Sequence, residues 1–87
     1  MGKLIVTVGS VTTAARLEKI LKKTGKVTSK VIHTPASLNK GGCSYSVITD
    51  EKNLVYIKEA AAEYGLNVKK YYIEEMLKGE KTYHVVS

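Results

Sequence analysis

The stretch SLNKGGCSYS, residues 37 to 46, holds the only cysteine of the chain, Cys43, directly behind Lys40, Gly41 and Gly42. A thiol does chemistry as its thiolate, which is a nucleophile toward sulfur, carbonyl carbon and soft metals. With no second cysteine there is neither an internal disulfide nor a C-x-x-C redox pair, so any disulfide or persulfide at Cys43 requires another molecule. Three groups could favour the thiolate. They are the Lys40 ammonium, an anion-accepting nest of backbone N–H groups from Lys40 to Cys43, and Lys22, Lys23 and Lys26 around the end of the first helix. Gly41 and Gly42 permit the positive φ that a nest requires. A plainer alternative stands beside this one: a glycine pair can be turn chemistry only, and a lone cysteine can be a small buried hydrophobe.

Other reactive side chains are sparse. His33 lies across a hairpin from Cys43 and is followed by Thr34 and Pro35, whereas Asp50 opens a helix at the far end of the sheet. A Cys-His-Asp triad therefore does not close. Cys43, His33 and His84 supply at most three ligands without zinc-type spacing, so neither a metal nor a cofactor is expected. The chain carries fourteen Lys plus Arg against eight Asp plus Glu, a formal net charge of +6. That charge favours encounters with nucleic acid, anions or acidic proteins. Arg16 is the single arginine, and lysine lacks the planar fork that grips phosphates and bases bidentately, which disfavours nucleic acid.

These residues must be positioned by one small domain spanning 1–87, because 87 residues leave no room for a second core. Trp and Phe are absent, so Val, Ile, Leu, Ala and six Tyr must build the interior. The longest apolar runs, LIVTV and YSVI, fall far short of the ~20 residues that span a bilayer, and no signal-peptide pattern opens the chain. No membrane association and a cytoplasmic location are the expectation.

The elements follow from periodicity and capping. KLIVTVG reads as a central strand. Ser10 then offers an N-cap to VTTAARLEKILKKTG, whose inner stripe is Ala14, Leu17 and Leu21 with Ile20 beside it. KVTSKVIHT is a second strand stopped by Pro35, and CSYSVIT is a third. Asp50 can cap a helix through EKNLVYIKEAAAEYG, with Leu54, Ile57, Ala61 and Tyr64 inward and Gly65 at its end. NVKKYYI supplies a fourth strand. Within EEMLKGEKTYHVVS, KTYHVV alternates like a short extra strand at a sheet edge, although Gly79 could equally end a helical turn.

The order β-α-β-β-α-β is the split βαβ or ferredoxin-like arrangement of an α+β fold, an antiparallel sheet with both helices on one face. Right-handed crossovers would set strands one and three side by side in the centre, parallel to each other, with strands two and four outside and antiparallel to them. Odd positions of the hairpin, Val27, Val31, His33, Cys43, Tyr45 and Val47, then face the helices. With strands one and three parallel, Cys43 would sit near helix C-termini, whose partial negative charge disfavours a thiolate.

The pattern also resembles a known family. GSVTTAARLEKILKKTG followed by VIHTPASLNKGGCSYSV is similar to the selenium/sulfur carrier-like family of small bacterial domains, over residues 3 to about 73. The most specific part is the Thr34-Pro35 pair ending a strand, then a short polar loop and one cysteine heading the third strand. Family members usually have Cys-Gly there, preceded by Ser-rich residues; in this chain the glycines come first, and Ala36 and Ser37 replace charged residues. The resemblance implies that Cys43 carries sulfur or selenium between a donor and an acceptor protein, with Lys40, Gly41, Gly42, His33, Thr34 and Pro35 in support. Two other readings stay open. One is an interaction or adaptor module, including pairing as a homodimer, through a strip of Ile5, Thr7, Ile32 and Ile48 on the uncovered sheet face. The other is a basic nucleic-acid module of RNA-recognition type, which the lack of an aromatic in strand one and the inward parity of Tyr45 disfavour.

Overall fold

The computed structural model of the chain describes residues 2–23, 29–39 and 45–86. The elements are β1 (Lys3–Val8), α1 (Val11–Lys23), β2 (Lys30–His33), β3 (Tyr45–Asp50), α2 (Leu54–Tyr64), β4 (Val68–Leu77) and β5 (Glu80–Val85). Two 3₁₀ turns, Ala36–Leu38 and Glu51–Asn53, precede β3 and α2. They build an α+β fold whose sheet order is β2-β3-β1-β4-β5, compatible with the ferredoxin-like split βαβ arrangement.

Strands β1 and β3 are central neighbours, as expected, but they are antiparallel rather than parallel, pairing from Lys3 with Asp50 to Val8 with Tyr45. The reason is topological. The α1 crossover returns β2 in the direction of β1, and the β2–β3 hairpin then reverses the chain, so β3 runs against both strands between which it lies. Strand β1 is likewise antiparallel to β4 on its other side, with a register shift at Thr7/Val8. There the Thr7 hydroxyl accepts from the Lys70 N–H at 3.0 Å and donates to the Lys70 carbonyl at 3.2 Å.

Both helices cover one face. Leu4, Val6 and Val8 of β1 meet Val47 of β3, Ala14, Leu17 and Leu21 of α1, Ile57 of α2, and Leu66 in one core cluster. The α1 stripe is the expected one, and Ser10 caps it by accepting from the Thr13 N–H at 3.2 Å. In α2 the expectation needs two corrections. Asp50 makes no side-chain cap bond because the 3₁₀ turn intervenes before the helix starts. Tyr64 is 50 % exposed, and Ala60 is the residue that turns inward. Gly65, at φ 64°, closes α2 in the left-handed conformation, where a Cβ would be strained.

Strand β4 continues through Leu77, and the C-terminal segment completes a hairpin with it, pairing Tyr72 with Val85 down to Leu77 with Glu80. Lys78 and Gly79 both have positive φ, 51° and 80°, the signature of a two-residue type I′ turn. The edge strand is therefore present, and Gly79 belongs to its turn rather than to a helical end.

On the opposite sheet face the strip is not open at its centre. Ile5 is 0 % and Thr7 2 % exposed, with Ile48 and Tyr72 directly opposite Ile5 on the neighbouring strands, while Ile32 and Ile48 are half-buried. The far edge of the sheet is guarded from the helix side. Glu18 of α1 accepts from the Val31 N–H of edge strand β2 at 3.1 Å, and Lys22 follows at 3.7 Å from the same carboxylate.

Beneath the helices, away from the β2–β3 hairpin, the Thr49 hydroxyl accepts from Ser29 Oγ and from Asn53 Nδ2, each at 2.9 Å. All three residues are buried. Thr49→Val keeps the shape and removes the shared acceptor, so it should cost about 1–3 kcal/mol in urea denaturation at unchanged m-value. A loss below about 0.5 kcal/mol would show that this trio does not hold the α2 entry.

Burial raises the Tyr71 pKa, and Tyr83 is raised by burial first and then by its hydrogen bond to Glu74 and that carboxylate's charge. Folding thus favours the neutral phenols. Their contribution is complete below the unfolded tyrosine value of about 10 and is lost as pH rises through the higher folded values. Denaturant titrations at about pH 8 and about pH 11 should show Tyr71→Phe losing less stability than the wild type. Equal losses in the two proteins would remove Tyr71 as a source of the alkaline transition.

Candidate thiol site at the β2–β3 hairpin

Cys43 follows a segment whose beginning and whose sequel are both well anchored. Cys43, Lys40, Gly41 and Gly42 themselves lie outside the described residues, as do Lys26 and Val27, so the root of the hairpin is what the structure defines. His33 and Tyr45 are register partners at the last rung, with ring centroids 5.1 Å apart and planes at 33°. Tyr45 packs against the helix-side core, as its parity predicted, so its ring is not a stacking platform for bases. On the other sheet face, the hydroxyls of Thr34 and Ser46 are hydrogen-bonded at 2.7 Å, and both residues are buried. The connection is therefore pinned on both faces within one residue of the strand ends.

The first part of the loop is also structured. Pro35, at φ −53° and ψ 141°, leaves the strand in the extended conformation that proline imposes. The Leu38 N–H then donates to the Pro35 carbonyl at 2.8 Å and the Asn39 N–H to the Ala36 carbonyl at 3.3 Å, forming the 3₁₀ turn. Thr34 and Pro35 thus act as a buried pin and a turn starter. His33 is exposed at the sheet edge.

The antiparallel pairing overturns the expected electrostatics. Tyr45 lies opposite Val8, the last residue of β1, and α1 begins three residues later at Val11. The hairpin root is therefore at the amino end of α1, not near its carboxyl end. Helix α1 packs over β2 and β3, and its first turn carries no acidic residue. A helix amino end bears roughly half a positive charge, which favours an anion nearby. Lys22 and Lys23 occupy the last turn of α1, at the opposite end of the sheet, so these two do not serve the hairpin.

The other histidine and the acid are also separated from the root. His84 is on β5 and His33 on β2, the two opposite edges of the sheet, roughly 19 Å apart at strand spacing. His84 instead pairs with Glu75 at 3.1 Å. Asp50 ends β3 opposite Lys3, five residues from Tyr45 and so about 16 Å away along the strand. Ser46 is the site residue that sequence reading missed. Its signal was available, since hairpin register with Pro35 as the stop places residues 34 and 46 near each other on the same face.

Comparison with known proteins gives one match. The family model described as "Putative Se/S carrier protein-like" matches residues 3–73, which takes in every element up to the middle of β4. No curated protein and no solved structure matches the chain.

Proposed function

We propose, because this chain belongs to the Se/S carrier protein-like family, that Cys43 is a carrier thiol which accepts sulfur or selenium from one protein and yields it to another. The observation that carries the reading is the placement of the hairpin root, anchored by His33–Tyr45 and Thr34–Ser46, at the amino end of α1. Only Ser44 separates Cys43 from Tyr45, so chain connectivity alone keeps their Cα atoms within about 7 Å. The helix end and Lys40 both favour the thiolate of a cysteine held there. Gly41 and Gly42 leave room for a partner's backbone to approach.

The transfer balances without a metal or a second cysteine. The Cys43 thiolate attacks the outer sulfur of a donor persulfide; a new S–S bond forms at Cys43, the donor's S–S bond breaks, and the donor departs as a thiolate. The proton that Cys43 gave up goes to that departing thiolate. An acceptor thiolate repeats the exchange in the opposite sense, and the selenium case follows the same bond changes.

Incubation with a small-molecule persulfide followed by intact-mass spectrometry tests the proposal. One added sulfur per chain, localised to Cys43 and released by an acceptor thiol, is the expected result. A chain that stays unmodified while still binding a protein partner would replace the carrier by a passive interaction module.

A further inference from the structure

Helix α1 has a second face that the core does not use. Arg16, Lys19, Ile20 and Lys23, at spacings i, i+3, i+4 and i+7, share that face and, together with Tyr64 at the end of α2, line a groove of about 310 Å³. Ile20 also packs on the core, so it forms an aliphatic floor, and the half-exposed Tyr64 forms one wall. Arg16, Lys19 and Lys23 are exposed, and no carboxylate lines the groove among the described residues. The nearest acid on α1, Glu18, is already engaged by the Val31 N–H and Lys22. Three cations on one helix face repel one another, and among the described residues none of them is held in an ion pair, although the carboxyl end of α1 favours Lys23.

We infer that this groove docks an acidic, amphipathic segment of a partner protein, with carboxylates on Arg16, Lys19 and Lys23 and an aliphatic side chain between Ile20 and Tyr64. Charge complementarity selects the acid, and the apolar floor selects a polypeptide over a polyanion. The cations span seven residue steps of helix, about 10 Å, long enough for two turns of a peptide but for only a few phosphates. Arg16 is five residues from the start of α1, about 7.5 Å along the axis toward the hairpin root. Lys23, in the last turn of α1, marks the other end of the groove, so a docked segment runs along α1 away from the hairpin root and leaves the thiol loop uncovered. The identification of that protein as a sulfur or selenium donor or acceptor rests on the carrier reading; the docking itself does not.

Fluorescence anisotropy with a labelled twelve-residue peptide, two leucines flanked by glutamates at helical spacing, tests the groove. The wild type should bind it with an affinity that falls with salt, and Arg16→Glu/Lys19→Glu/Lys23→Glu should weaken binding about tenfold or more. The equal-charge control Lys52→Glu/Lys69→Glu/Lys81→Glu should change it by less than about threefold. Tyr64→Ala should weaken binding without altering its salt dependence, and Cys43→Ser should bind like the wild type. Melting curves verify folding, and Lys19→Glu alone serves if the triple variant is unfolded. Equal losses in the two triple variants, unchanged binding of a glutamine-for-glutamate peptide, or no binding by the wild type would each overturn the inference. So would a single-stranded oligonucleotide that binds as tightly and is lost in the same variant. Sulfur loading from a small-molecule donor needs no docking, so intact loading without peptide binding removes the groove alone. Peptide binding without loading removes the carrier alone.

Discussion

Cys43→Ser should abolish sulfur loading and leave the fold intact. The chain has one cysteine, so no second thiol can take up the adduct, and loading should fall from one sulfur per chain to none rather than to a lower plateau. Serine is nearly isosteric, but its hydroxyl does not ionise near neutral pH and is a poor nucleophile toward divalent sulfur. The hairpin anchors among the described residues are other side chains. Thr34–Ser46 and His33–Tyr45 join the strands, and Ser10 caps α1. Circular dichroism and the urea midpoint should therefore coincide with those of the wild type while the mass shift disappears. Loading that survives in Cys43→Ser would place the chemistry on another nucleophile and end the carrier proposal.

Leu17→Ala is the substitution with the largest expected effect on stability. Leu17 is 0 % exposed in the middle of the α1 stripe, in one cluster with β1, β3 and α2. Replacing a buried leucine removes its transfer free energy and leaves a cavity, for a loss of about 2–5 kcal/mol. A chain of 87 residues has in total about 4–13 kcal/mol of stability. Urea denaturation should show the loss directly, and the melting temperature should fall by about 10 °C or more. Val55, on the outer face of α2 and 67 % exposed, provides the contrast: Val55→Ala should change stability by less than about 0.5 kcal/mol. A Leu17→Ala loss below about 1 kcal/mol would show that α1 is not packed as described. The two variants are linked through the site, because the packing of Leu17 sets where the amino end of α1 lies relative to the hairpin root. Leu17→Ala should thus slow loading as well as destabilise, whereas Val55→Ala should do neither.

Much of this was legible in the chain because it depends on local spacing. Ala14, Leu17 and Leu21 are buried as their helical period requires, and Val31, Tyr45 and Val47 face the helices by strand parity. Ser10 and Gly65 mark helix ends where their side-chain chemistry suits them. What misled was also local. Asp50 is a good cap by type, yet the turn at Glu51–Asn53 puts Asn53, not Asp50, before α2. Tyr64 fits the inward period but stands at the last residue of α2, where the groove leaves it half in solvent. Ile5 fits an exposed strip by alternation, and its flanking strands bury it.

The sequence by itself determined the order of elements, the inner stripe of α1 and the hairpin faces, the family, and that any disulfide or persulfide at the lone thiol must be intermolecular. It pointed to the wrong end of α1 for the hairpin, because strand direction is a relation between segments far apart in the chain, and the expectation of parallel strands one and three does not hold. Only the tertiary structure decided it: β3, inserted between β2 and β1, runs antiparallel to both and brings Tyr45 opposite Val8. The backbone dipoles of α1 sum along its axis, so that reversal puts the partially positive amino end of α1, rather than its partially negative carboxyl end, at the hairpin-root end of the sheet.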